Sequence, residues 1–223
     1  MINIPTAARI RLFLENAIVD GKFHPGDRID PDRIAADYNC SRTPVREALQ
    51  ALEASGLLTV QPKRGTFVNK LGLSDLMHRF EVMAQMEALC ASLACRRASH
   101  EDHAAIKTSL IACEAAARAD DSDGYYAQNT RFHQAIYRAS HNPFLESETQ
   151  RLQAMLQPYR RLQLKAVGRV QTSLAEHRAI ATAIIQGDVR TATQAMTDHV
   201  LVQGERFQDL AALIDSLAAD RRG

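Results

Sequence analysis

The chain has 223 residues, with 27 Lys and Arg against 26 Asp and Glu, a formal net charge of +1. At 46% hydrophobic and 24% charged it can bury a core, which excludes a disordered chain, and the small net charge excludes a histone-like polycation. Ten Gly and seven Pro are too few for a loop-rich all-β fold, and no apolar run approaches the ~18 residues of a membrane span.

Residues Met1 to Pro5 lack a basic region followed by an apolar run, so the expected location is the cytoplasm. Cys40, Cys90, Cys95 and Cys113 form no C-x-x-C pair and read as reduced thiols. A Cys90–Cys95 disulfide is not expected, because five positions on a helix turn the side chains apart. Charge is unevenly spread. Residues 1–70 hold ten Lys/Arg and eight Asp/Glu, residues 71–223 seventeen and eighteen. A local basic patch is expected from Arg42, Arg46, Lys63, Arg64 and Lys70.

Ile10, Phe13, Leu14, Ala17 and Ile18 recur at helical spacing, and Gly21 ends that helix. Pro25-Gly26 makes a turn. Asp30-Pro31 then reads as N-cap and first helical residue of a short helix. Thr43-Pro44 repeats that start signal for a helix through Val45, Leu49 and Leu52 to Ser55-Gly56. Two short helices with a tight break suggest a helix-turn-helix. Leu57–Val60 and Thr66–Val68 flank Gln61-Pro62-Lys63-Arg64-Gly65 as a hairpin with a basic tip. Helix-turn-helix plus hairpin is a winged helix.

Gly21 to Val68 resembles the GntR family of bacterial transcription regulators. The resemblance is carried by Pro25-Gly26-Asp27-Arg28-Ile29, Ser41-Arg42-Thr43-Pro44-Val45-Arg46-Glu47-Ala48-Leu49, Leu52-Glu53, Gly56-Leu57 and Arg64-Gly65-Thr66-Phe67-Val68. It implies binding to double-stranded DNA. A recognition helix puts its N-terminal residues into the major groove. Arg42 and Arg46, four apart near that end, suit one guanine edge and one phosphate. Ser41 and Thr43 offer hydroxyls and N–H groups to phosphate. By resemblance, Arg33 is a further phosphate contact, and Arg64 with Gly65 forms a wing tip entering the minor groove.

Lys70 to Leu73 is a connector, and from Ser74, read as a helix cap, the pattern is almost wholly helical. The predicted helices are 74–98, 101–118, 123–140, 144–166, 174–186 and 189–217. Pro158 is expected to kink the fourth. Ser173-x-x-Glu176 reads as a capping box opening the fifth. Gly187-Asp188 closes it and caps the next. The expected architecture is mainly α: a winged helix-turn-helix over residues 1–70, then an all-α bundle of six or seven helices over 71–223.

Asn129 and His133 share a helical face. His177 lies ten residues before Gly187 and His199 eleven after Asp188. If the chain reverses at Gly187-Asp188, ~15 Å up and ~16.5 Å back at 1.5 Å per residue set the two imidazoles level. His133 from a third helix would complete a three-His cluster, the ligand type and number of an exchangeable Zn, Ni or Mn site. Spacing alone equally allows surface or hydrogen-bonded core histidines. His100-x-x-His103 is a weaker pair of the same kind, and His24, His78 and His141 read as turn or surface residues.

Phe80-Glu81-Val82-Met83, Met86-Glu87, Leu93-Ala94, Asn129-x-x-Phe132-His133, Asn142-Pro143, Glu176-His177 and Asp198-His199 resemble the FCD ligand-binding domain of FadR-like GntR regulators. The resemblance implies that Asn129, His133, His177 and His199 hold a divalent metal, Zn first with Ni or Mn as alternatives, at the base of an effector pocket. It also implies a homodimer on an inverted-repeat operator and a small carboxylate-type metabolite as effector. Many relatives have Asp at Asn129, and Arg at Met83 to grip an acidic effector. Met83, Glu87, Tyr159 and Arg160 are the candidate effector contacts, with Arg131, Arg138 and Arg161 as other sources of positive charge. Arg160-Arg161 is otherwise expected to form a solvated face.

The expected function is a repressor whose operator affinity is controlled by the metabolite, and not an enzyme. Two alternatives remain. One is a metal-dependent hydrolase with Glu87 as general base, and the other is a regulator whose metal only braces the bundle.

Overall fold

The computed structural model describes residues 5–19, 21–70, 73–164 and 168–201. The chain divides into two compact units. One holds the residues up to Gly72 together with Ala154–Pro158, the other Leu73–Gln153 and the residues from Tyr159 onward.

The first unit contains α1 (Thr6–Val19), β1 (Arg28–Ile29), α2 (Pro31–Asp37), α3 (Arg42–Ala54), β2 (Leu58–Gln61) and β3 (Gly65–Val68). Ile10, Leu14 and Ile18 of α1 meet Ile34 of α2 and Val45, Leu49 and Leu52 of α3 in one buried cluster. The sheet runs β1-β3-β2, antiparallel throughout, with Leu58 opposite Val68 and Gln61 opposite Gly65. Asp30 caps α2 as its sequence position suggests, accepting from the N–H of Asp32 at 3.0 Å. That contact stabilises the helix by about 1 kcal/mol. Helix α3 starts earlier than Thr43-Pro44 implied: Ser41 is the N-cap and Arg42 the first helical residue. The sequence reading also missed β1, since a two-residue strand has no alternation to detect.

The second unit contains α4 (Leu73–Arg97), α5 (His100–Arg118), α6 (Ser122–Ala139), α7 (Pro143–Leu164), α8 (Arg169–Gln186) and α9 (Val189–Val200). Helix α4 is the hub and packs against α6, α8 and α9, while α5 packs against α6 and α8. Its inner stripe is Leu76, Phe80, Met83, Ala84, Ala88, Ala91 and Ala94, all buried. Helix α4 spans Ser74, which therefore lies inside the first turn. Helix α7 continues past Pro158 to Leu164.

The expected start of α8 at residue 174 is corrected to Arg169. Ser173 opens no capping box; it lies inside the helix and its hydroxyl accepts from the Tyr125 hydroxyl at 2.9 Å. The predicted end of the last helix, residue 217, lies outside the described residues. Among those described, no helix is long and apolar enough to cross a membrane, and all four cysteines are free thiols.

Candidate functional site

Three helices bring the histidines together. On α6, Tyr125, Asn129, Phe132, His133, Ile136 and Tyr137 are buried, which places Asn129 and His133 on its inner face. The chain then reverses between α8 and α9. Gly187 adopts φ +72°, a left-handed conformation suited to a residue without Cβ, and the Asp188 carboxylate accepts from the N–H of Thr191 at 3.0 Å. The reversal sets His177 and His199 level. Their Nε2 atoms lie 3.2 Å apart, and His199 Nε2 lies 3.2 Å from His133 Nε2. One nitrogen from each of the three rings falls within 4.8 Å of the others, and all three rings are buried. Phe132 stacks on His177 with centroids 4.3 Å apart.

Two carboxylates orient these rings. His133 Nδ1 is 2.5 Å from Glu87 Oε2, and His199 Nδ1 is 2.7 Å from Glu176 Oε2. Burial drives all three imidazoles toward the neutral form, His199 down to about 4 and His177 well below its usual range. Burial alone would raise Glu87, but Arg160 and His133 outweigh it and keep the carboxylate ionised. Each of these two rings therefore carries its proton on Nδ1, donates it to a carboxylate and leaves a lone pair on Nε2.

That tautomer assignment tests the fit of a metal. Nε2 of His133 and Nε2 of His199 lie 3.2 Å apart, and neither carries a proton of its own. Tetrahedral zinc with bonds of ~2.0–2.1 Å has ligand–ligand edges of roughly 3.3 Å. The donor set and spacing thus suit a divalent cation. Nδ1 of His177 is buried without a hydrogen-bond partner among the described residues, unlike its counterparts.

A cavity of about 20 Å³, room for about one water or one ion, opens beside His199. Asn129, Arg160, Arg169, Ser173 and Phe80 contribute to its wall. Asn129 therefore shares the cavity with His199. Among the candidate effector contacts, Arg160 reaches this wall. Met83 and Tyr159 are buried, and Glu87 is occupied with Arg160 and His133.

Arg160 and Arg161 do not form a solvated face. Arg160 is 8% exposed and donates from Nη1 to Glu87 Oε1 at 2.6 Å and from Nη2 to His133 Nε2 at 3.1 Å. Arg161 pairs with Asp123 at 2.6 Å and lies over the Tyr126 ring. The face they occupy is inward because α7 turns it to the acidic groups of α4 and α6. Arg131 and Arg138 are exposed.

Sequence reasoning missed Glu176 and Arg169 as site residues. They are seven apart on α8 and joined at 2.7 Å. The available signal was this i, i+7 pairing of opposite charge beside His177. His100 and His103 join no metal-ligating cluster among the described residues.

In the first unit, Arg33 on α2 and Ser41, Arg42, Thr43 and Arg46 at the start of α3 are exposed, while Val45, Ala48, Leu49 and Leu52 are buried on the opposite face. Arg42 is not free-standing: its Nε lies 2.8 Å from Asp32 Oδ1 and its Nη2 2.9 Å from Asp32 Oδ2. Arg64 is exposed at the hairpin tip. Gly65 adopts φ +114°, and a Cβ there would stand 3.1 Å from Arg28 Nε, so the tip requires glycine.

Residues 6–68 match the family described as bacterial regulatory proteins, gntR family, and residues 78–201 match the FCD domain. The HTH-type transcriptional repressor GlaR of Escherichia coli (strain K12) is 27% identical over 199 residues, which are 85% of this chain and 90% of that protein. The HTH-type transcriptional regulator YdhC of Bacillus subtilis (strain 168) is 27% identical over 187 residues, 83% of this chain and 84% of that one. The solved structure of E. coli McbR/YncC matches 96% of this chain and 100% of its own with a TM-score of 0.79 at 21% identity, a likeness of fold.

Proposed function

The chain belongs to the gntR family of bacterial regulatory proteins, carries an FCD domain and is a DNA-binding transcription regulator, and from that premise we propose that a small organic acid controls its affinity for operator DNA. Residues 1–70 are the DNA-binding domain. Residues 71–223 are the effector-binding and dimerisation domain. A homodimer in the cytoplasm places one winged helix on each half of an inverted repeat, and the ligand releases repression. Arg33, Ser41, Arg42, Thr43 and Arg46 face DNA with Arg64 and Gly65 of the wing.

The observation that carries the effector reading is the convergence of three buried imidazoles, one of which, His199, lines a cavity whose wall also holds Arg160 and Arg169. His133, His177 and His199, with the Asn129 amide oxygen on the same cavity, would hold a divalent ion, Zn first and Ni or Mn as alternatives. Such an ion supplies a Lewis-acidic position for a carboxylate oxygen. Arg160 and Arg169 give the same anion its charge complement. Glu87 argues against a hydrolase. Its oxygens already accept from Arg160 and from the Nδ1 side of His133, away from the Nε2 atoms where a metal-bound water would sit.

Elemental analysis and native mass spectrometry of the purified protein test the metal reading. A stoichiometric divalent ion, lost on dialysis against chelator and lost in His177→Ala, is expected. Absence of metal under every loading condition refutes it and leaves DNA binding standing. Operator gel shifts with Zn-loaded protein and a panel of small carboxylates test the effector reading. A carboxylate response that is the same in His177→Ala as in the parent refutes it.

A further inference from the structure

We infer that Arg160 is an internal cation that competes with the metal for His133, so that the ion binds only when the guanidinium lets go of the ring nitrogen. The inference rests on the metal reading above and adds a residue to it. His133 Nδ1 donates to Glu87, so its Nε2 has one lone pair in the plane of the ring. Arg160 Nη2 donates into that lone pair at 3.1 Å. A single lone pair serves one hydrogen or one metal, not both.

The guanidinium is built for this exchange. It is a fork with two ends, and the ends have different partners. Nη1 is held by Glu87 Oε1 at 2.6 Å, a charged partner that itself stays buried and ionised. Nη2 is held by a neutral ring nitrogen. The second contact is the weaker and breaks first. Arg160 then pivots on Glu87 and stays in the cavity wall it already helps to form. In the metal-free protein the same arginine supplies the positive charge that lone pairs 3.2 Å apart otherwise lack. Arg169 is a natural comparison. It also lines the cavity, but it donates to Glu176 and, among the described residues, to no imidazole.

The experiment measures Zn²⁺ affinity of chelator-stripped full-length protein by competition with a chromophoric chelator. Arg160→Gln should bind zinc about tenfold to a hundredfold more tightly than the parent, the range set by a hydrogen bond to a charged donor. Arg169→Gln removes the same charge from the same cavity and should change affinity less than threefold or so. Unchanged or weaker binding by Arg160→Gln overturns the inference. So does equal tightening in both variants, which would mean simple relief of charge repulsion. Zinc binding by no protein in the set is a separate outcome that removes the metal reading itself. If Arg160→Gln fails to fold, Arg160→Met is compared in the Glu87→Gln background against Glu87→Gln alone, where no buried carboxylate is left unpaired. The same tenfold or larger gain is expected there, and its absence overturns the inference.

Discussion

Removing the charge of Glu87 should cost far more than removing any surface acid, and should be largely undone by removing Arg160 as well. Glu87 is fully buried and joined to Arg160 at 2.6 Å and to His133 at 2.5 Å. Glu87→Gln keeps the shape but strands a guanidinium that is only 8% exposed. Breaking one side of such a pair costs about 3–5 kcal/mol, because the surviving charge stays desolvated. Replacing both sides with apolar groups of similar volume is close to neutral. The double variant Glu87→Leu/Arg160→Met should therefore lose much less than the sum of the single losses, a coupling on the order of 3 kcal/mol. The Glu148–Arg151 pair on α7 is the internal control: at 2.8 Å it is also within hydrogen-bond distance, but its side chains are 36% and 54% exposed, and Glu148→Gln should cost only about 0.2–1 kcal/mol. Urea unfolding of metal-free protein, followed by circular dichroism because the chain has no Trp, gives the totals. Hydrogen exchange of α4 and α7 peptides assigns them to the helical unit. A Glu87→Gln cost under about 1 kcal/mol, or additive single and double losses, would refute the buried-pair account.

Acid should weaken the start of α5. Burial alone would raise the Asp102 carboxyl, but hydrogen bonds from Ser99 and the contact with His141 outweigh it and hold it below its usual range. A depressed carboxyl contributes stability above its unfolded value and loses it as pH falls through the folded one. Asp102→Asn should thus destabilise at pH 7 and converge with the parent as acid protonates the folded-state carboxyl, and curves that stay parallel in urea titrations would contradict this. In the DNA-binding unit, Asp32 engages the guanidinium of Arg42 through two nitrogens, which leaves Arg46 better placed for bidentate guanine readout. Arg46→Ala should narrow the gap between operator and scrambled DNA by about 1–3 kcal/mol, while Arg42→Ala weakens both equally and lowers the salt slope by ~1. The reverse pattern in salt-dependent anisotropy titrations would overturn the assignment.

What was legible in the sequence followed local rules. The level placement of His177 and His199 came from counting residues outward from Gly187-Asp188, and the structure brings their Nε2 atoms to 3.2 Å. The hairpin came from two β-prone runs flanking Gln61 to Gly65, and the amphipathic helices came from their period. What was not legible depends on partners far away in the chain. Ser173 and Glu176 fit a capping box by spacing, but Ser173 is taken by the Tyr125 hydroxyl and Glu176 by His199 and Arg169. Arg160 looked like a surface base because its partner, Glu87, is 73 residues distant. One clue was present: Glu87 interrupts an otherwise apolar stripe on α4, and an acid in such a position needs a buried partner.

On the proposed function, charge balance explains why metal and ligand should bind together. With His133, His177 and His199 neutral, the charges at the site are Glu87 and Glu176 against Arg160 and Arg169, which cancel. A divalent ion then leaves two positive charges uncompensated, because Asn129 contributes an amide and no carboxylate. A small carboxylate offsets them. Binding of one should therefore strengthen the other, and linkage requires the factor to be the same in both directions, typically ~5–150-fold. Asn129→Asp supplies that charge from the protein. It should tighten Zn²⁺ binding in the absence of ligand and shrink the factor by which an organic acid tightens it further. Calorimetric titration of zinc with and without the acid gives both numbers. If Asn129→Asp raises zinc affinity and leaves the coupling factor unchanged, the ligand does not act by neutralising the ion, and its contacts must be sought on Arg160 and Arg169 alone.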